Sequence, residues 1–164
     1  MSGAAVRRTL VVVAALAVSL LAGCGVRPSG VITGGPAPQA PGEKVQLYLL
    51  SHAMLTPVVR PLTAVPTPTQ ALEQLAAGPD GDELAQGYTT EVPRDVAPVV
   101  VTIRSSSVTV KLSSDPAGLS AAAVGQIVCT VGEVVVTAGQ QARPAVTLIG
   151  QGHSRGPLAC PLPQ

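Results

Sequence analysis

Thiols, imidazoles and paired carboxylates are the groups that could give this chain chemistry, and they are few and scattered. Its 164 residues include three cysteines, two histidines and nine carboxylates. His52 stands in a turn-like Ser51-His52-Ala53, and His153 in the Gly-rich stretch Gln151-Gly152-His153-Ser154. Neither has other ligand-type residues at metal-binding spacing. Ser113-Ser114-Asp115 sets hydroxyls beside a carboxylate. It follows an apolar strand pattern and precedes Pro116, which reads as a turn leading into a helix rather than a nucleophile. No G-x-x-x-x-G-K-[ST] phosphate loop occurs. Asp80-Gly81-Asp82-Glu83 is the densest acidic cluster; it lacks calcium-loop spacing and reads as a solvated turn. The expectation is a protein that is not an enzyme, with no catalytic residues, no metal site and no cofactor.

Cys24 differs in its surroundings. Arg7 and Arg8 lead into Leu10 to Leu21, an almost wholly apolar run. The run is shorter than the roughly 20 residues a spanning helix needs, but it suits the core of a signal peptide. Leu21-Ala22-Gly23-Cys24 then has the form of a lipobox, where small residues precede a thiol that accepts a lipid. Residues 1–23 therefore read as a lipoprotein signal peptide and Cys24 as the lipidation site, carrying acyl chains such as palmitate. Membrane lipid is the first expected partner, and the extracytoplasmic face of the cell membrane the expected location. Gly25 follows the cysteine, so no aspartate marks inner-membrane retention. Arg7-Arg8-Thr9-Leu10 partly matches a twin-arginine signal, which leaves the general secretory and twin-arginine routes both open.

Removing residues 1–23 takes Arg7 and Arg8 away and leaves eight basic residues against nine acidic ones. No basic run survives, and the chain has neither Trp nor Phe. Nucleic-acid binding wants clustered cations and stacking aromatics, so no nucleic-acid partner is expected. A core of Val, Leu, Ile and Ala is modest and gains from a further constraint. With Cys24 lipidated, Cys129 and Cys160 remain for a disulfide in an oxidising compartment. The alternative, a reactive or metal-binding pair, is disfavoured by their wide separation and by the lack of neighbouring histidines.

Those residues need elements to position them. Residues 24–42 comprise the lipidated cysteine and a Gly/Pro-rich tether, too poor in apolar surface to order itself. Lys44 to Leu50 reads as a strand entering the core, Leu55 to Leu62 as a second strand whose prolines place it on an edge. Thr67 and Pro68 start a helix that Gly78-Pro79 ends. Asp82 to Gln86 suits a further helical turn. Val99 to Ile103 and Val108 to Leu112 alternate as a hairpin, the second with Val108, Val110 and Leu112 on one face. Ser120 to Thr130 reads as a second helix, and Val134-Val135-Val136 as either its last turn or a separate strand. Val146 to Ile149 is a final strand, followed by a Gly/Pro-rich tail over residues 151–164 that a disulfide would pin.

The succession VQLYLL, PTQALEQLAAGP, VTVKLSS, AVGQIVCT, AVTLIG resembles the GerMN domain, also called the sporulation and spore germination domain, over about residues 44–150. With the late RGPLAC, it is similar to short actinobacterial members. The resemblance implies a domain over residues 43–150 of α/β class, an α+β two-layer sandwich in the order ββαββαβ. A small mixed sheet would carry two helices on one face, like ring-building motifs. It further implies a non-catalytic lipoprotein in envelope or sporulation- and signalling-related assembly. Its partner would be an envelope protein or a second copy, reached through the edge strand 55–62 or the exposed sheet face, with Arg60 and Lys111 as test positions. A lipoprotein that binds a small ligand or cell-wall fragment is the alternative.

Overall fold

A computed structural model describes residues 43–105 and 107–162, together with Gly3. Apart from Gly3, the segments expected to be a signal peptide and a tether, with Cys24 between them, lie outside the described residues. The chain divides into residues 1–38 and 39–164, and the fold described below is that of the second part.

Strands β1 (Lys44–Ser51) and β2 (Met54–Pro61) form an antiparallel two-stranded sheet joined by the turn His52-Ala53. Strands β3 (Val100–Arg104), β4 (Ser107–Lys111), β5 (Ala145–Gly150) and β6 (His153–Leu158) form a second sheet in that order. Its β4–β5 pair is parallel and the other two pairs are antiparallel. Helix α1 (Pro68–Ala77) begins in a capping box: Thr67 accepts from the Gln70 N–H while the Gln70 side chain accepts from that of Thr67. A short α2 (Gly81–Ala85) and a long α3 (Ala121–Thr137) follow along the chain. The class and the order ββαββαβ are as the sequence implies, with the strands divided between two sheets and a sixth strand added at the end.

Val134-Val135-Val136 is the last turn of α3, not a strand. Val134 packs with Val45, Leu47 and Ala71, and Val135 joins the main core. That core gathers α1 and α3 against the inner faces of the sheets, through Leu72, Leu75, Ile127, Val128, Val110 and Leu148. Burying a side chain of Leu or Ile size contributes about 1.5–3 kcal/mol, so this cluster carries most of the stability. Gly125 breaks the helical propensity of α3 for a packing reason. A Cβ there would meet Leu55 Cδ1 at 3.0 Å.

The prolines of β2 lie on an edge, as expected, and cost no hydrogen bond to β1. Leu50 exchanges both main-chain hydrogen bonds with Thr89, and the Tyr48 N–H donates to Thr130 Oγ1. Both residues therefore point their main chain away from β2. Their partners Leu55 and Pro57, and by alternation Val59 and Pro61, point outward as well. The missing N–H groups of Pro57 and Pro61 thus fall on the open edge. The ladder to β1 stays whole.

Candidate interaction surface

The thiols and polar groups come together as supports of the fold. Cys129, fully buried on α3, and Cys160, beyond β6, are joined by a disulfide with their Cα atoms 4.8 Å apart. Arg143 lies beside it, its Nη1 3.7 Å from Cys160 Sγ, while its Nη2 donates to Glu133 Oε2 at 2.9 Å and to the Tyr48 hydroxyl at 3.0 Å. Residues 153–158, read as tail, pair with β5 as a strand. Their polar, Gly/Pro-containing sequence hides that pairing.

Glu83 is not part of a solvated turn. It is buried, and its carboxylate accepts from Arg60 Nε at 2.8 Å and Nη2 at 2.6 Å. It also accepts from the Asp80 N–H, closing a capping box on α2. The Arg60 hydrogen bond holds the Glu83 carboxyl below its ordinary value of 4.5 against the opposing effect of burial, and the Asp80 N–H and the Arg60 charge act the same way. Arg60 Nη2 further donates to the Gly78 carbonyl at the end of α1. This arginine is withdrawn from the surface and serves the fold.

The histidines stay peripheral. His52 sits in the β1–β2 turn, its Nδ1 3.1 Å from Ser51 Oγ. His153 opens β6, and its Nδ1 lies 2.9 Å from Asp115 Oδ2, with the imidazole 64 % exposed. Neighbouring Ser114 Oγ is buried without a hydrogen-bond partner, so no serine–histidine pair forms there. No G-x-S-x-G elbow is expected from the sequence, yet Gly152-His153-Ser154-Arg155-Gly156 does spell that pattern. A nucleophile elbow needs that pattern on a strand-to-helix turn, whereas here it runs from a hairpin turn into β6. Adjacent residues of a strand face opposite ways, so His153 does not serve Ser154. Among the described residues no group of three or more His, Cys, Asp or Glu could hold a metal ion. No described helix is long and apolar enough to cross a membrane.

What the arrangement does offer is a face. Register aligns Thr102, Thr109 and Thr147 in one row across β3, β4 and β5. Val100, Lys111 and Ile149 form the next row, and Arg104, Ser107 and Ala145 the row on the other side. Val100 is 57 % exposed, and Thr102, Arg104, Ser107, Lys111 and Ala145 are exposed too. The opposite face buries Val108, Val110, Val146 and Leu148 in the core. On this side Thr109, Thr147 and Ile149 are half-buried, most side chains are short, and the only charges in these rows are Arg104 and Lys111.

Separate devices guard the edges against strand addition. The free side of β1 is capped by α3 and Thr89, and that of β2 carries two prolines. On β3 the Val101 N–H donates to Thr69 Oγ1 of α1 at 3.4 Å. A register irregularity and Pro157 interrupt β6. Such features discourage strand addition.

Fold and surface together define a two-layer α/β domain whose polar groups serve mainly structure. Residues 46–142 match the family described as "Germane: Sporulation and spore germination", and the chain belongs to that family. Membership fits a sporulation- or germination-related function, and the family is not a known catalytic one. The match spans from β1 through α3, including Cys129, and ends before β5, β6 and Cys160. No curated protein matches the chain, and no solved structure does.

Proposed function

We propose that this chain is a non-catalytic interaction module, held at the extracytoplasmic face of the membrane by a lipid on Cys24 and acting in envelope or sporulation-related assembly. The observation that carries the reading is the uncovered face of the β3–β6 sheet. An exposed sheet face with no aromatic side chain in its rows offers little to enclose a small ligand, and edges that discourage strand addition steer contact to that face. The partner is an envelope protein or another copy of the chain.

The ligand-binding alternative has less support. Sugar and drug-like sites usually have aromatic walls. Tyr48 is buried, its hydroxyl taken up by Gln46 and Arg143. The depression between Leu62 and Ala64 and the outer side of α1 is lined by Gln70, Glu73, Gln74 and Ala77, without aromatics.

Cross-linking in intact cells tests the proposal, with wild type compared against Thr102→Arg and Lys111→Glu. Both positions are exposed, so the fold should persist. Loss of a discrete cross-linked partner in both variants supports the face. Undiminished cross-linking in both sinks it. A Cys24→Ala form separates anchoring from recognition.

A further inference from the structure

Leu55, Pro57, Val59 and Pro61 lie on one side of β2, and all four are apolar. Pro57, Val59 and Pro61 are exposed, Val59 at 54 %. The same four positions direct their main chain off the open edge, where two of them have no N–H to offer. The strip thus joins exposed apolar side chains to a backbone with half the usual donors. Removing water from it costs less than from an ordinary edge, and the prolines that lower this cost also bar strand pairing.

Its position along the chain indicates what covers it. Pro61 pairs with Lys44, and the Leu62 N–H donates to the Glu43 carbonyl at 2.6 Å. The strip therefore ends where the chain enters the domain. Eighteen residues, 25–42, separate Glu43 from Cys24; a flexible chain of that length and Gly/Pro-rich composition would have a mean reach of about 20–25 Å. A lipid on Cys24 keeps this end of the domain close to the bilayer, at an effective concentration on the order of millimolar. A contact too weak to recruit a free domain becomes populated under such a tether. Glu43 and Lys44 flank the strip with opposite charges, so the attraction is apolar.

We propose that Pro57, Val59 and Pro61 rest on the headgroup boundary of the membrane that holds Cys24, so that the domain lies in one orientation rather than swinging on its tether. This rests on the lipid-anchor reading of Cys24. The chain has no tryptophan, so Val59→Trp supplies a single reporter, with Val100→Trp as the control on the other sheet. The chain from Cys24 onward, its Cys129–Cys160 disulfide intact, is coupled through Cys24 to a maleimide lipid in phosphatidylcholine vesicles containing brominated lipid. Mass spectrometry of the protein purified from cell membranes reads the natural modification separately. That result decides the anchor reading, while the vesicles decide the contact.

The expected result is a blue shift and bromine quenching for Val59→Trp that Val100→Trp does not show, and that uncoupled chain added to the same vesicles does not show. Equal emission and equal quenching at the two positions would overturn the contact. So would shielding of the Val59→Trp indole that arises only when envelope protein is added, since that assigns the strip to a protein. A Pro57→Asp change in the Val59→Trp background should abolish the shift; persistence of the shift would also count against the proposal.

Discussion

Gln126 donates from its Nε2 to the main-chain carbonyl of Tyr48 at 2.9 Å, joining a buried helix face to the free side of a strand. One turn further along α3, Thr130 Oγ1 accepts from the Tyr48 N–H at 3.0 Å. Two side chains four residues apart thus supply the acceptor and donor that a neighbouring strand would supply. Gln126 Oε1 also accepts from the Glu91 N–H at 2.9 Å, tying the loop before β3 to the same point. Both side chains are fully buried.

Replacing Gln126 with Leu keeps much of the volume, strands the Tyr48 carbonyl and releases the Glu91 N–H. At about 1–3 kcal/mol for a buried unsatisfied group, Gln126→Leu should cost about 1–3 kcal/mol through the Tyr48 carbonyl, since the N–H of exposed Glu91 can turn to water. Thr130→Val strands one group and should cost about 1–2 kcal/mol. Urea unfolding gives both values. Equal losses below about 0.5 kcal/mol, the range of ordinary surface changes, would show that water satisfies these groups instead.

The Arg60–Glu83 pair makes stability depend on pH in a definite direction. The carboxyl of Glu83 is held below its ordinary 4.5 in the folded chain, so its contribution is fully present above the unfolded value. It is lost as pH falls through the lowered folded value. Glu83→Gln should therefore be less stable than wild type at pH 7, by about 2 kcal/mol for a largely buried charge-assisted bond. The gap should close as pH drops below the carboxylate range. Melting temperatures measured from about pH 7 down to about pH 2.5 on both proteins test this; a constant gap would remove Glu83 as the source.

The disulfide closes a loop with a sequence separation of 31. The chain-entropy model assigns such a loop about 3–4 kcal/mol. A Cys129→Ala/Cys160→Ala double variant should lose roughly that amount. Reduction of the wild type should lower its melting temperature in the same direction. Quantitative labelling of both thiols in exported protein, with unchanged melting on reduction, would contradict the pairing.

Local patterns explain which parts of this fold can be read from sequence. Val108-Thr109-Val110-Lys111-Leu112 alternates cleanly because one side of β4 is wet. Thr67-Pro68 and Gly78-Pro79 mark the ends of α1 by backbone chemistry that needs no distant partner. Three consecutive valines at 134–136 have no period, and only packing against Val45 and Leu47 decides for helix. β6 lacks β-branched residues and owes its strand to pairing with β5. Glu83 depends on Arg60, 23 residues away, and Gln126 on Tyr48, 78 residues away, so neither pairing is visible in any short window. The uncovered sheet face is half legible: alternation shows that β4 has an outer side, but the threonine row needs the register of three strands.

Two glycines separate room from propensity. A Cβ on Gly150 would lie 2.2 Å from the Ser114 carbonyl oxygen and 3.1 Å from that of Leu112. These are main-chain atoms of the turn that carries Asp115, and they cannot yield without moving that turn away from β5. Gly150→Ala should therefore cost about 3 kcal/mol or more, the upper range for overpacking, and should disturb the Asp115–His153 contact. On Gly125 the nearest atom is instead the tip of Leu55, a side chain that can rotate. There the gain in helix propensity, about 1 kcal/mol for Gly to Ala, offsets the crowding, and Gly125→Ala should fall within about 1 kcal/mol of wild type. Chemical denaturation of the two variants distinguishes the cases. Comparable losses at both sites would mean that Leu55 is locked in place, making the contact between β2 and α3 as rigid as the main chain around Gly150.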